Sequence, residues 1–109
     1  MTMDVKQAIA NRSTLNLSAQ TVVATVQAGS SGALAQPLQL VRVVVNTVGA
    51  TAGTFNDCAT TGAVAAANLV LTIPTTAAAG SVFLMDWPFF SGITFTPGTS
   101  QVVSISWNG

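Results

Sequence analysis

The sequence predicts an all-β fold: a single antiparallel β-sandwich or jelly-roll-like domain of about seven strands, with an N-terminal arm. Three observations predict it. Short runs rich in β-branched residues recur along the chain, and several alternate apolar with polar. Clusters of Gly, Pro, Ser and Thr separate them at regular spacing. No segment of helical period and length lies between them, so the βαβ folds are excluded. At 109 residues the chain makes one domain with one modest core.

Residues 1–19 read as the arm. Asp4 to Ala10 has the makings of a helical turn, but it is too short to be helical alone. The sandwich domain then occupies residues 20–109. Its first strand is Thr21–Gln27, with Val22 and Val26 on one face. Gly29-Ser30-Ser31-Gly32 is a loop. Pro37 opens the longest apolar run, Leu38 to Asn46. Strict alternation points Val41, Val43 and Val45 one way, and Leu38, Leu40, Arg42, Val44 and Asn46 the other. Both faces carry apolar side chains, so this strand is central or covered by a partner.

Thr54–Asp57 is a short strand after the small-residue turn Gly49–Gly53. Ala63 to Ala67 reads as a loop or a helical turn. Asn68–Ile73 is a strand with Leu69, Leu71 and Ile73 on one face, and Pro74 ends it. Ser81–Trp87 is again apolar on both faces and is bounded by Pro88. Ile93–Thr96 leads into the Pro97-Gly98 turn. The last strand, Gln101–Trp107, places Val103, Ile105 and Trp107 inward, with Ser104 and Ser106 outward.

Composition narrows the function. The chain is 50% hydrophobic but only 6% charged, against about 25% in ordinary soluble domains. The charges are Asp4, Lys6, Arg12, Arg42, Asp57 and Asp86, and they sum to zero. Three basic residues neutralise too few phosphates for electrostatic nucleic-acid binding, and too few for a cationic membrane-surface helix. No run of about 20 apolar residues spans a bilayer, and the start lacks the apolar stretch of a secretory signal. With no His and one Cys, Cys/His zinc sites and intrachain disulfides are excluded. A lone Cys58 fits synthesis in a reducing compartment, where it serves as a small packing residue.

Catalytic chemistry has little to work with. There is no His and no Glu. A Ser-His-Asp arrangement is therefore impossible, and the abundant hydroxyls lack a base. No nucleotide-binding glycine pattern occurs. Asp57 and Asp86 form a carboxylate pair only if the fold joins them. Their commoner roles are a turn hydrogen bond for Asp57 and a partner to Arg42 for Asp86. Asp57 with Asn56 makes at best a poor calcium site. Arg42 stands mid-strand among valines. It either pairs within the chain, with Asp57 or Asp86, or makes a bidentate contact to a neighbouring subunit. The cluster Trp87-Pro88-Phe89-Phe90 suits a core, a subunit interface or a sugar-stacking platform. An ice-binding face needs a regular Thr-x-Thr ladder, and only Thr94-Phe95-Thr96 shows one.

The valine strand Leu40–Asn46, Gly53-Thr54-Phe55-Asn56-Asp57-Cys58, Asn68–Pro74 and the end Ser91–Gly98 with Gln101–Trp107 carry a resemblance. From about Gly32 to Trp107 the chain resembles small β-sandwich virion proteins of tailed bacteriophages: head-decoration, head-fibre or tail-associated accessory proteins. The resemblance implies a non-enzymatic, multi-copy structural role on a virion, after synthesis in the host cytoplasm. It implies no cofactor and no metal. The partners would be copies of the chain, in a homo-oligomer such as a trimer, and virion proteins such as the major capsid protein. Neither nucleic acid nor membrane is a partner. Arg42, Trp87, Phe89 and Phe90 are the interface candidates. The alternative function is a carbohydrate- or receptor-binding module on a tail or fibre.

Overall fold

Eight strands form where the β-branched runs lie. They are β1 (Arg12–Leu17), β2 (Thr21–Thr25), β3 (Leu38–Thr47), β4 (Gly53–Asp57), β5 (Leu69–Ile73), β6 (Val82–Phe89), β7 (Gly92–Thr96) and β8 (Val102–Asn108). The structure is a computed structural model that describes residues 12–26 and 37–108. The Gly29–Gly32 loop and residues 1–11 of the expected arm lie outside the described residues.

Two antiparallel four-stranded sheets are built, in the orders β1-β8-β3-β6 and β2-β7-β4-β5. Within them β1 pairs with β8, β2 with β7, β3 with β6 and β4 with β5. That nesting is a long hairpin rolled up on itself, the eight-stranded jelly roll. The sandwich is thus as expected, with one strand more. The extra strand is β1, which falls inside the segment read as an arm. Its six residues pair with β8 from Arg12↔Asn108 to Leu17↔Val103, and Leu17 is buried.

The core lies between the sheets. Leu17, Leu38, Leu40, Val43, Val45, Phe89, Val103 and Ile105 face Phe55, Ile73, Ile93 and Phe95. Phe55 and Phe95 are register partners whose ring centroids lie 4.7 Å apart. Tilted aromatic pairs of this kind add about 1 kcal/mol to what burial alone supplies. In β8, Val103 and Ile105 are buried and Trp107 packs against the core, as its alternation predicts.

In β3 the strict alternation fails. Leu38 and Leu40 face the core together with Val43 and Val45, and Arg42 is exposed. The ladder shifts register between Leu40 and Arg42 against both neighbours. Against β8, Val41 is the extra residue of a β-bulge, whereas against β6 the extra residue is on β6, and one extra residue reverses the phase of everything beyond it. Bulges move two other expected faces. One between Val22 and Ala24 in β2 puts Val23, Ala24 and Val26 against the core. One between Phe55 and Asn56 accompanies exposure of Leu69 on β5.

The Ala-rich stretch forms two single-turn 3-10 helices, Thr61–Ala63 and Ala66–Asn68. Asn56 anchors them. Its Nδ2 donates to Ala65 O at 3.0 Å and to Asn68 Oδ1 at 2.8 Å. Cys58 beside it is buried, as expected of a packing residue.

Candidate functional site

β3 is central in its sheet, whereas β6 is one of its two edge strands. The difference matters for their apolar outer positions. On β3, Val44 is half-buried between neighbours, whereas on β6 Val82 is 53% and Leu84 73% exposed. Trp87 and Phe90, farther along the same chain segment, are 53% and 67% exposed. Four of the seven exposed large hydrophobic side chains among the described residues therefore lie on β6 or directly after it. Edge strands usually carry charge that repels other strands. This one has Asp86 and Pro88, and otherwise an apolar rim.

Arg42 stands opposite Leu84 in the ladder, on the outer face. It is exposed, and no carboxylate pairs with it among the described residues. The expected intrachain pair is corrected by where the two candidate aspartates are engaged. Asp57 accepts backbone N–H groups of the β6–β7 turn, from Phe90 at 3.0 and 3.1 Å and from Ser91 at 2.8 Å. That is the turn role expected of it.

Asp86 accepts from Gln39 Nε2 at 3.0 Å. Gln39 Oε1 in turn accepts from Asn108 Nδ2 at 3.1 Å. This polar relay runs across three strands and holds the Asp86 carboxylate in place. Asp86 has a φ of 50°, a left-handed conformation that Asp tolerates better than most residues. It sits where β6 carries two residues, Met85 and Asp86, against Val41 of β3. The bulge aims it outward beside Leu84. Val41, Arg42, Leu84 and Asp86 together line a shallow depression of about 290 Å³. On its other side Arg42 borders a second depression of about 210 Å³ with Thr14, Val44 and Ser106.

The four interface candidates thus separate. Arg42, Trp87 and Phe90 are exposed on or beside the edge strand. Phe89 is fully buried in the core, paired with Leu38. Its place there corrects the expectation of a partner contact: alternation puts it on the opposite face from Pro88. Sequence reasoning missed Val82, Leu84 and the relay through Gln39. The signal for the first two was the doubly apolar Ser81–Trp87 run, and the missing knowledge was that this run is an edge.

Asp57 and Asp86 do not share a site; one holds a turn and the other faces outward from the opposite sheet. A third depression, about 230 Å³, lies under the 3-10 turns and is lined by Thr54, Asn56, Val64, Ala65, Ala66 and Leu69. Asn56 Oδ1 has no hydrogen-bond partner there, but it is sealed from the surface. Among the described residues no three His, Cys, Asp or Glu gather as a metal site. Among the described residues, the chemistry this surface offers is apolar contact plus the exposed Arg42 guanidinium and the oriented Asp86 carboxylate. Compared with known proteins, the chain matches no family model, no curated protein and no solved structure.

Proposed function

We propose that the protein is a non-enzymatic structural subunit of a bacteriophage virion. It would be a multi-copy accessory of the capsid-decoration or head-fibre-base kind, and it works by protein–protein assembly. One observation carries the reading: Val82, Leu84, Trp87 and Phe90 stand exposed along a single edge strand and its turn, with Arg42 exposed on the neighbouring strand and without a carboxylate partner among the described residues. Val82 and Leu84 lie on the outer face while Trp87 stands opposite the core residue Leu40, so the apolar exposure follows the edge rather than one face, and an exposed apolar edge strand marks an interaction site. With Arg42, Asp57 and Asp86 the only charged residues from position 20 onward, charge repulsion does little to keep copies apart.

The fold supports the reading by analogy, because jelly rolls recur in viral capsid proteins as well as in lectins. The strand and turn likeness to tailed-phage virion proteins supports it further. Partners are copies of the chain and larger virion proteins, and the site of action is the particle. Sedimentation with purified phage particles and light scattering of the free protein test this. Binding to particles is the expected result. A monomer of 11.0 kDa that ignores particles overturns it.

The exposure of Trp87 favours a second reading, a carbohydrate-binding module, since an exposed indole stacks on sugar rings. Under that reading Trp87→Ala abolishes glycan binding and leaves assembly intact. Under the first, it weakens assembly.

A further inference from the structure

We propose that two copies of this chain pair through the outer face of β3 and β6 across a two-fold axis at Leu84, with Arg42 of each copy bound to Asp86 of the other. The inference rests on the assembly reading and specifies its contact.

The face is self-complementary. It carries one cation and one carboxylate, and Leu84, exposed to 73%, lies beside both. Arg42 is opposite Leu84 across the ladder, and Asp86 is two residues farther along the same strand. An axis through Leu84, running diagonally toward Gln39, exchanges the positions of Arg42 and Asp86 between copies. Leu84 then meets Leu84, and two Arg–Asp pairs form at once. A two-fold contact uses one patch twice, which is what a patch with balanced charge fits. A partner rich in carboxylates would find Asp86 in its way.

Both charges are prepared for the exchange. Asp86 is oriented by Gln39 and, behind it, Asn108, and only its Oδ1 is engaged among the described residues. Arg42 has no carboxylate partner to give up among the described residues. A guanidinium offers a planar fork that a carboxylate accepts in bidentate fashion. Val82 and Val44, opposite each other in the ladder, extend the apolar contact beyond the pairs.

Light scattering on the full chain, across a concentration series, tests the pairing. The expected mass is that of two chains, falling to one chain, 11.0 kDa, on dilution. Arg42→Asp and Asp86→Arg each put like charges in contact twice, so each raises Kd on the order of 100-fold. An equimolar mixture of the two variants restores the pair, because every contact is then complementary. Leu84→Asp leaves one chain. Should Asp86→Arg disturb the bulge, Asp86→Asn keeps the left-handed backbone and the Gln39 contact, and raises Kd about 10-fold. Variants that associate as the wild type does, or a mixture that fails to pair, overturn this contact while leaving assembly by another surface in place. A wild type that stays single at high concentration but binds particles also overturns the pairing alone. Failure to bind particles as well overturns the assembly reading.

Discussion

Asp57 holds Phe90 in place from the opposite sheet. The Phe90 N–H lies 3.1 and 3.0 Å from the two carboxylate oxygens, and Ser91 and Gly92 also donate to Oδ1, at 2.8 and 3.3 Å. One side chain therefore satisfies three consecutive turn amides where the chain crosses between sheets. Bonds to a charged acceptor contribute about 1.5–3 kcal/mol, and amides left unpaired add a penalty. Asp57→Ala should cost about 2–3 kcal/mol, and Asp57→Asn less, because an amide oxygen still accepts. Urea denaturation at low protein concentration, where linkage to self-association is small, reads this directly. A loss below about 0.5 kcal/mol for the Ala variant would show that the turn stands without its carboxylate.

At the other end of the sandwich a glycine is required by close approach. A Cβ on Gly98 would overlap the backbone carbonyl oxygen of Thr51. Gly98 is also locked at both polar atoms: its N–H donates to Gln101 Oε1 at 3.1 Å and its O accepts from Gln101 N at 3.0 Å. Gly98→Ala should cost about 3 kcal/mol, because backbone rather than a mobile side chain must move. Gly62 is the control, with nothing within 4 Å of its Cβ position. Gly62→Ala should be neutral or stabilise by about 0.5 kcal/mol through the unfolded chain. Equal losses at the two sites in thermal melts would refute the steric account.

Phe89 and Phe90 are neighbours with opposite fates. Phe89 is fully buried, and Phe90 is 67% exposed. Phe89→Ala should lose about 3–5 kcal/mol to a core cavity. Phe90→Ser should change stability by no more than about 0.5 kcal/mol. On the assembly reading it should instead weaken self-association or particle binding. Denaturation and light scattering on both variants separate the two effects. A Phe90 variant that destabilises as much as the Phe89 variant would mean the turn packs more tightly than its exposure indicates.

The sandwich followed from β-branched runs and turn residues, and the clean alternation of Val103, Ser104, Ile105 and Ser106 oriented β8 correctly. β1 was missed because Arg12-Ser13-Thr14-Leu15-Asn16-Leu17 is polar, and only its pairing with β8 makes it a strand. The face of β3 was half right. A bulge at Val41 has no composition of its own, and local pattern cannot place an extra residue. Arg42 is legible as a candidate in the sequence, but the placing of Asp86 by Gln39 is not, because that contact joins residues 47 apart. Leu84 was invisible as a surface residue, because an apolar strand reads the same at a centre and at an edge.

Cys58 offers a test of the core at one thiol. It is 4% exposed, and its Sγ donates to Thr60 O at 3.4 Å, so the sulfur is both covered and engaged. Its own N–H donates to Gly92 O at 3.0 Å, and its carbonyl accepts from the buried Thr94 hydroxyl at 2.9 Å. A reagent can reach the sulfur only when this β4–β7 corner opens. Opening that costs about 4 kcal/mol slows labelling about 1,000-fold relative to the unfolded chain. An aromatic disulfide reagent should therefore modify native protein at least 100-fold more slowly than protein in urea. Asp57→Ala, which loosens the adjoining turn, should speed native labelling. Cys58→Ser keeps a donor for Thr60 O and should cost about 1 kcal/mol. Labelling of native protein at the unfolded rate would mean that the corner is open in solution and that Cys58 is not part of the packed interior.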